Sequence, residues 1–454
     1  MNLSGTGDTI AAIATPPGRG GIAVVRVSGP LTTDIALRLL GRLPAPRIAT
    51  RAGFADATGA TIDDGLMLRF EAPRSFTGED VLELQCHGGV VVSRMVLERV
   101  CELGARPAEA GEFTLRAFLN ERLDLAQAEA IADLIDGASE SAVRCARRSL
   151  SGEFSRAIEN HRDALVELRT FIEASIDFPD EELDLLGTPE TTARLVEVRD
   201  AVAATLADSQ RGAVLRNGVK LVVAGAPNVG KSSLLNRLAR TDTAIVTDIP
   251  GTTRDVVRER VVIAGIPFDV HDTAGFRESS DPVERIGVER AVRAMEDADL
   301  VLLVTDDSDA GCHVDAKLLE RAAAAPAHIV VRNKIDLSGS HPGIAIDDRQ
   351  RPTAHVSALK GTGIVELEEA VVQRAMAGTM ISGDAFMARR RHVDALERAL
   401  AALDRANRRL LVDNAGELVA EELREAQDAL GAIVGAFATE DLLERIFASF
   451  CIGK

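Results

Sequence analysis

The sequence predicts a multidomain chain of the α/β + α class: an N-terminal α+β domain, a helical domain in two separated parts, and a doubly wound, mostly parallel sheet inserted between those parts. Short apolar runs alternate with helical patterns from residue 217 to about 378, as in a doubly wound sheet. Stretches rich in helix formers flank that region on both sides, and the termini of a domain usually lie close together, which makes such an insertion feasible. We therefore expect domains at 1–120, 121–216, 217–378 and 379–454.

The composition is that of an ordinary globular protein, with 46% hydrophobic and 27% charged residues in a chain of 454. No apolar run approaches the ~20 residues that cross a membrane, and no secretory signal begins the chain, so we expect a cytoplasmic protein without membrane contact. Five scattered cysteines without a CxxC pair favour a reducing compartment. The net charge of −18 disfavours non-specific coating of nucleic acid but permits RNA binding through a local basic patch.

The N-terminal region predicts three strands and a helix, at 21–27, 65–70, 80–86 and 90–103. Arg26 and Glu83 each continue an otherwise apolar strand face. A charge among apolar neighbours is costly unless it is paired or bound to something. We favour an edge position or an internal salt bridge for these charges, and a bound ligand is the alternative.

Helical patterns without proline predict both parts of the helical domain. Between Pro107 and Pro179, apolar residues recur at helical spacing over 124–135 and 156–171. Thr188 and Pro189 are typical of an N-cap and a first helical residue, and the helix that they begin should extend toward residue 208. The acidic run at 177–182 fits a solvated loop better than a metal site. The last ~70 residues are again helical in pattern.

The run Gly-Ala-Pro-Asn-Val-Gly-Lys-Ser at 225–232 follows an apolar strand and fits the phosphate-binding pattern of Gly, four residues, Gly-Lys-Ser. The glycines let the backbone wrap a phosphate, and N–H groups at the start of the next helix point at it. Lys231 would add positive charge at the outer phosphates, and the Ser232 hydroxyl could ligate Mg²⁺. The alternative is a strand-to-helix turn that binds nothing.

Four further motifs follow this phosphate loop in the order that a Ras-like GTPase requires. A threonine of Gly-Thr-Thr at 251–253 could complete the Mg²⁺ shell, and Asp-Thr-Ala-Gly at 272–275 could hold a Mg²⁺-bound water and approach the γ-phosphate. Asp336 of Asn-Lys-Ile-Asp could accept two hydrogen bonds from guanine, a donor pair that adenine lacks. Ser-Ala-Leu at 357–359 could contact the guanine carbonyl. The order and spacing of all five motifs predict a P-loop GTPase domain at 217–378.

The glutamine that orients the attacking water in Ras-like proteins is absent, because Phe276 follows Gly275. Another group must therefore orient the water, and a cation must offset the charge that develops between the β- and γ-phosphates. Glu284 lies downstream of this position, where the residue type alone favours a surface carboxylate.

Motifs along nearly the whole chain resemble those of the MnmE (TrmE) family of tRNA modification GTPases. They are ATPPGRGG at 14–21, SFTGED at 75–80, RAFLN at 116–120, LDLAQAEA at 123–130 and the highly specific CIGK at 451–454. The resemblance implies a folate-binding-type N-terminal domain that forms a homodimer. It also implies a heterotetramer with the flavoprotein MnmG, through which FAD would take part.

Together, according to the resemblance, the two proteins would add a carboxymethylaminomethyl or aminomethyl group to C5 of the wobble uridine of certain tRNAs. A 5-formyl- or methylene-tetrahydrofolate derivative would donate the one-carbon unit. K⁺ would replace an arginine finger and promote dimerisation of the GTPase domains, and GTP and Mg²⁺ would be the other cofactors.

The resemblance also implies the site residues. The K⁺ ligands would be Asn228 and the backbone carbonyls of Thr247, Ile249 and Thr252. Ser232 and Thr253 would hold Mg²⁺, and the catalytic residues would be Glu284 as the water-orienting group, Lys231 and Cys451. The GTP-binding residues would be Asn228, Val229, Gly230, Lys231, Ser232, Ser233, Thr247, Asp248, Ile249, Pro250, Gly251, Thr252, Thr253, Asp272, Thr273, Ala274, Gly275, Asn333, Lys334, Asp336, Ser357, Ala358 and Leu359.

Folate contacts carry over, by the same resemblance, to Arg26, Glu83, Arg122 and Lys454. Adjacent donors on the pterin edge suit the Glu83 carboxylate, and the basic residues suit the glutamate tail. Arg122 stands where the family is expected to have lysine, which keeps the charge but changes the geometry. Cys451 is either a catalytic nucleophile or a structural thiol.

Two other functions stay open at this point. A ribosome-assembly GTPase resembling Era or Der would act as a switch without covalent chemistry. It should carry a basic C-terminal RNA-binding domain with a GxxG loop, or a second GTPase domain, and the helical C-terminal region has neither. A signalling or scaffolding GTPase would bind no folate, and its deletion would leave wobble uridines unchanged.

Overall fold

The computed structural model describes residues 7–177, 188–241, 258–272, 294–309, 320, 322, 325–346, 351–376, 385–413, 415–436 and 439–453. The chain forms two compact units, both discontinuous in sequence. The first comprises Met1–Ala132, Leu150–Thr188 and Arg408–Lys454, and the second comprises Asp133–Ser149 and Pro189–Asn407. The bounds of the four predicted domains stay predictions.

The described strands are β1 (Ile10–Ile13), β2 (Ile22–Ser28), β3 (Thr50–Ala55), β4 (Thr61–Phe70), β5 (Val81–His87), β6 (Arg106–Pro107), β7 (Val219–Gly225), β8 (Arg258–Ile263), β9 (Ile266–Asp272), β10 (Leu300–Asp306), β11 (Ala327–Asn333), β12 (Gly343–Ile346) and β13 (Pro352–His355). The described helices are α1 (Thr32–Leu40), α2 (Val90–Glu102), α3 (Glu112–Leu119), α4 (Leu125–Ile135), α5 (Glu140–Leu150), α6 (Glu153–Asp177), α7 (Pro189–Asn217), α8 (Lys231–Thr241), α9 (Ile335–Ser338), α10 (Ile364–Ala375), α11 (Arg390–Arg408), α12 (Gly416–Val434) and α13 (Glu440–Phe447). A π-helical turn at Arg409–Asp413 follows α11. None of the helices in these ranges is both long enough and apolar enough to span a bilayer.

The first unit contains a six-stranded sheet in the order β3-β4-β5-β2-β1-β6. All neighbouring pairs are antiparallel except β1 and β6. The three predicted strands are confirmed as β2, β4 and β5, and the predicted helix is confirmed as α2. The sequence does not predict β1, because Ile-Ala-Ala-Ile has no alternation and lies in the sheet only through its pairing with β2 and β6.

One face of the first unit's sheet is mostly apolar, although the buried Arg69 of β4 also lies on it. Ala23, Val25 and Val27 of β2 are buried in a core cluster to which α1 and α2 also contribute. The opposite face carries Arg26, which lies near a smaller cluster that includes Phe113. Because side chains alternate along a strand, this register places the one charged residue of β2 outside the main core.

The helices predicted for both ends of the helical region are confirmed, and several pack together in the first unit. Helix α6 runs along α12, and the Arg169 side chain donates a hydrogen bond to Gln427 Oε1 at 2.8 Å. Phe447 of α13 packs against Leu115 and Leu125 of the N-terminal half of the unit. The C-terminal end of the chain therefore lies against the segment that follows the sheet.

The second unit contains a seven-stranded sheet in the order β12-β13-β11-β10-β7-β9-β8. Its five inner strands are parallel, while β8 and β12 are antiparallel edges. The predicted hairpin is confirmed as β8 and β9, and the apolar runs as β7, β10 and β11. The sequence does not predict β12, whose side chains are mostly exposed at an edge and leave no apolar period to detect.

Helix α7 begins at Pro189 as predicted but continues to Asn217, well beyond residue 208. Tertiary packing supports its last turns, since a Cβ at Gly212 would lie 1.7 Å from the Phe386 carbonyl oxygen. Asp133 also joins separate segments of this unit: Arg216 donates to it at 2.8 Å and Arg389 at 3.0 Å. The length of α7 and the ion pairs of Asp133 both depend on contacts between residues that are far apart in sequence.

Candidate nucleotide and folate sites

The phosphate loop connects the end of β7 to the start of α8, as the motif predicts. A Cβ at Gly225 would lie 2.2 Å from the Val304 carbonyl oxygen of β10, so no larger residue fits there. Gly230 has a φ of +93°, and a Cβ there would lie 2.4 Å from the Asn333 side-chain nitrogen. Both glycines are therefore required by close approach of neighbouring groups.

The residues proposed to contact phosphate surround the first turn of α8. Ser232 and Ser233 are exposed there, and Asn228 is exposed with a left-handed φ of 64°. Lys231 Nζ donates to the carbonyl oxygens of Gly225 at 3.0 Å and Ala226 at 2.9 Å. The lysine ammonium group thus lies over the loop.

Asn333 connects the phosphate loop to the predicted guanine loop. Its side-chain NH₂ donates to the Val229 carbonyl oxygen at 2.8 Å, and its side-chain oxygen accepts from the Ala358 N–H at 3.0 Å. The side chain is buried. Sequence reasoning assigns Asn333 to nucleotide contact, and the structure gives it a second role as the group that holds both loops together.

The other guanine-loop residues are brought together in the same region. Asp336 is half-buried and accepts a hydrogen bond from the Ser357 hydroxyl at 2.6 Å. Arg237 of α8 donates to the carbonyl oxygens of Ala358 at 3.1 Å and Leu359 at 2.8 Å. The helix that follows the phosphate loop thus also supports the guanine loop, a contact for which the sequence carries no signal.

Asp306, at the carboxyl end of β10, is a site residue that sequence reasoning missed. It pairs with Lys334 Nζ at 2.6 Å. Burial alone would raise the pKa of Asp306, but hydrogen bonds from Lys334 and Ser308 outweigh it and lower the pKa. Its position at the carboxyl edge of a parallel strand is the signal that could have found it.

Much of the predicted metal and γ-phosphate site lies outside the described residues. The residues concerned are Thr247, Asp248, Ile249, Pro250, Gly251, Thr252, Thr253, Thr273, Ala274, Gly275 and Glu284. The backbone of Asp272 ends β9 in register with Val223, two residues before Gly225. Within the described ranges, no three His, Cys, Asp or Glu side chains form a metal-binding group.

In the first unit, Arg26 and Glu83 form a cross-strand ion pair between β2 and β5. Arg26 Nη2 and Nε lie 2.9 and 3.0 Å from Glu83 Oε1, with side-chain exposures of 22% and 19%. The internal salt bridge is therefore confirmed, and the edge position is wrong, because both strands have neighbours on each side. The Arg26 guanidinium also lies 5.4 Å from the Phe76 ring centroid and 5.8 Å from that of Phe113.

The structure describes Arg122 of the other predicted folate residues, and it also describes Cys451. Arg122 is exposed, and its Cγ lies 3.2 Å from where a Cβ on Gly78 would be. Gly78 belongs to the same loop as Phe76, so this loop lies beside both arginines of the predicted site. Cys451 is exposed, and its carbonyl accepts from the Gly111 N–H at 3.4 Å. Lys454 lies outside the described residues.

A buried ionic network supports this loop and was not predicted. Arg116, whose side chain is 4% exposed, contacts Asp8 at 2.6 Å, Glu112 at 3.0 Å and Glu79 at 3.2 Å. Glu79 also accepts from the Ser28 hydroxyl of β2 at 2.7 Å. Burial would raise the pKa of Glu112, but hydrogen bonds from Arg106, the Glu109 N–H and Arg116 lower it overall.

Two family models match the chain. The model described as GTP-binding protein TrmE N-terminus matches residues 9–122, and the model described as MnmE helical domain matches residues 125–451. Among solved structures, the G domain of the T. maritima FeoB iron transporter is 30% identical over 35% of this chain and 98% of that domain, with a TM-score of 0.27. Aquifex aeolicus Era is 26% identical over 40% of this chain and 66% of its own, also at 0.27.

Curated proteins named tRNA modification GTPase MnmE are similar to the chain along its whole length. The relatives from Azoarcus sp. and Thiobacillus denitrificans are 53% and 51% identical over 98% of this chain and 98% of their own. The relative from Nitrosomonas europaea is 50% identical over 98% of this chain and 99% of its own. The predicted multidomain α/β + α fold class is confirmed by the two family models and by the two sheets. The chain belongs to the MnmE family of tRNA modification GTPases.

Proposed function

We propose that this chain is a K⁺-dependent GTPase that acts, with a flavoprotein partner, in modifying C5 of the wobble uridine of certain tRNAs. The connection made by Asn333 between the phosphate loop and the guanine loop is the observation that best supports GTP as the nucleotide. It joins the phosphate loop and the guanine loop in one arrangement, and such a connection lowers the ordering cost of binding.

The described residues suit guanine and phosphate recognition. Asp336, held by Ser357, would accept hydrogen bonds from guanine N1–H and N2–H₂. Lys231 would exchange its two carbonyl partners for β- and γ-phosphate oxygens. The exposed Ser232 hydroxyl offers the oxygen donor that Mg²⁺ prefers, and Thr253 would be the second protein ligand. Bound Mg²⁺ would neutralise charge that develops on the phosphates.

Two groups would supply what the missing glutamine and arginine finger do elsewhere. Glu284 would orient the attacking water. Asn228, with the carbonyls of Thr247, Ile249 and Thr252, would hold K⁺, and the exposure of Asn228 above the loop suits that role. K⁺ would also promote dimerisation of the GTPase domains.

The N-terminal sheet would bind a 5-formyl- or methylene-tetrahydrofolate derivative through Arg26, Glu83, Arg122 and Lys454. Glu83 contacts both Arg26 nitrogens through Oε1. The other carboxylate oxygen, Oε2, would therefore accept from adjacent pterin donors. Phe76 and Phe113 supply apolar surface beside the pair. Cys451 would act as a nucleophile or as a structural thiol.

The remaining parts of the proposal concern assembly. The chain would form a homodimer through residues 1–120, and a heterotetramer with the flavoprotein MnmG, which would contribute FAD. The helical domain would comprise 121–216 and 379–454, with the GTPase domain at 217–378 inserted in it. The substrate would be tRNA, and the complex would act in the cytoplasm.

Mass spectrometry of tRNA nucleosides from a deletion strain tests this function. We expect the C5-modified wobble uridine to disappear and to return with the wild-type gene. A Glu83→Gln gene should restore little of it, because the variant loses a charged acceptor, whereas the exposed Glu98→Gln should restore it fully. Unchanged wobble uridine in the deletion strain would contradict the proposal.

A further inference from the structure

Two short segments of this otherwise acidic chain are rich in arginine. Residues 141–152 contain three arginines and no acidic residue, and residues 385–393 contain three more, again without an acidic residue. The whole chain has 70 acidic residues against 52 lysines and arginines. The function proposed above uses neither segment.

The fold of the second unit brings these two segments together. The Arg148 guanidinium near the end of α5 lies 4.9 Å from the Phe386 ring centroid. The Ser149 hydroxyl donates to the Met387 carbonyl oxygen at 3.2 Å. The last turn of α5 therefore packs against the segment that leads into α11.

Five arginines of these segments form what we call the arginine patch: Arg144, Arg147, Arg148, Arg390 and Arg391. The sixth, Arg389, is mostly buried and pairs with Asp133. Arg144 and Arg390 are 76% and 91% exposed. Arg147 is exposed as well, and no ion pair to it is formed by the described residues.

The acidic partners of two patch arginines are themselves exposed. Arg144 pairs with the exposed Glu140 at 3.1 Å, and Arg390 lies 3.8 Å from Asp394. Exposed pairs of this kind contribute little and exchange readily for another anion. The first turn of α11 also holds no acidic residue, although negative charge is the favoured sign there. Arg390 and Arg391 thus lie at the helix end where the dipole disfavours positive charge.

We propose that the arginine patch binds the phosphate backbone of the tRNA, an inference that rests on the proposed tRNA substrate. Guanidinium groups match phosphate oxygens in a bidentate arrangement, which makes arginine suited to this contact. The net charge of −18 makes a local positive surface necessary for any polyanion to approach. The chain has no Trp or Tyr, so the contact is electrostatic and insensitive to base sequence.

The test measures binding of an unmodified tRNA transcript to the full chain by fluorescence anisotropy, between about 50 and 200 mM salt. The variant Arg147→Gln/Arg390→Gln should bind about tenfold more weakly, and its log–log salt dependence should be less steep by about 1 to 2. Both residues are exposed, so the variant should fold and hydrolyse GTP at the basal rate.

Arg194→Gln is the matched control, because Arg194 is an exposed arginine of α7 that pairs with Glu190 at 3.0 Å. It should change neither the affinity nor the salt slope. If the wild type and the double variant bind tRNA with equal affinity and equal salt slope, the proposal that the patch binds tRNA is wrong. The proposal is also wrong if the double variant no longer binds the flavoprotein partner but keeps its tRNA affinity. In that case the patch would bind an acidic protein surface. A wild-type chain that binds no tRNA would contradict the proposal as well. Mass spectrometry of the wobble uridine in the deletion strain would then test the proposed function separately.

Discussion

Asn333 is a residue whose two hydrogen bonds determine the geometry of the candidate nucleotide site. Both partners are backbone groups, the Val229 carbonyl and the Ala358 N–H, and the side chain is buried between them. Gly230 is tightly packed against the same amide. Loss of the amide would leave two buried backbone groups without partners, which costs about 1–3 kcal/mol each at most.

Asn333→Ala should therefore weaken GDP binding by about 2 kcal/mol, or roughly 30-fold. Isothermal titration of the full chain with Mg²⁺–GDP would measure the dissociation constant. Asn217→Ala is the control, because Asn217 is an exposed asparagine of the same unit. A dissociation constant equal to the wild-type value would show that Asn333 does not hold the loops.

At the same scale, Glu284→Ala should leave GTP binding intact and reduce turnover about 10²- to 10⁴-fold, as expected for loss of a water-orienting group. Single-turnover hydrolysis and nucleotide titration on the same sample would separate the two effects. The exposed Glu296→Ala should hydrolyse GTP at the wild-type rate. Near-wild-type turnover in Glu284→Ala would show that Glu284 does not orient the attacking water.

At the scale of elements, helix α3 and strand β2 are held together by buried ions. Arg116 of α3 contacts Glu79, which accepts from Ser28 of β2. Glu112 accepts from both Arg106 and Arg116, at 2.6 and 3.0 Å. Glu79 and Arg116, each part of one of the family motifs, therefore support the loop beside Arg26.

The pH dependence of stability should report this network. The pKa of Glu112 is lowered in the folded chain from its ordinary value of 4.5, so its contribution is present above that value and is lost as pH falls through the folded pKa. Glu112→Gln should therefore lower the urea midpoint at pH 7, and the difference from wild type should shrink below pH ~4.5. The Glu98 carboxylate is exposed, so Glu98→Gln should change neither the urea midpoint at pH 7 nor its pH dependence. A difference independent of pH would contradict the assigned role.

At the scale of the whole molecule, the two candidate sites belong to different units. The described nucleotide residues lie in the second unit, whereas Arg26, Glu83, Arg122 and Cys451 lie in the first. Both units are discontinuous, so the chain crosses between them several times. GTP hydrolysis and the proposed carbon chemistry are thus assigned to separate parts of one chain.

K⁺ should act on the whole molecule, because its proposed role couples hydrolysis to dimerisation of the GTPase domains. GTP turnover should be many times faster in K⁺ than in Na⁺ at equal ionic strength. Light scattering with a non-hydrolysable GTP analogue should show the larger species only in K⁺. Equal rates in the two salts would count decisively against Asn228 as a K⁺ ligand.

Local patterns predicted much of the fold, and they failed where a segment's structure depends on its neighbours. The buried strands of the second unit were predicted because continuous apolar runs are typical of parallel strands. β1 and β12 were not, since their place comes from pairing partners rather than residue type. The extension of α7 to Asn217 likewise depends on packing against the segment at Phe386.

The sequence by itself determined the nucleotide and the fold class, because motif order and hydrophobic period are local properties of the chain. Only the tertiary structure decided that Arg26 pairs with Glu83, that Asn333 connects two loops, and that two arginine-rich segments share one surface. Each of these depends on strand register or on contacts between residues far apart in sequence. Spacing along the chain carries no information about such distances, since only the packing of the core brings these segments together.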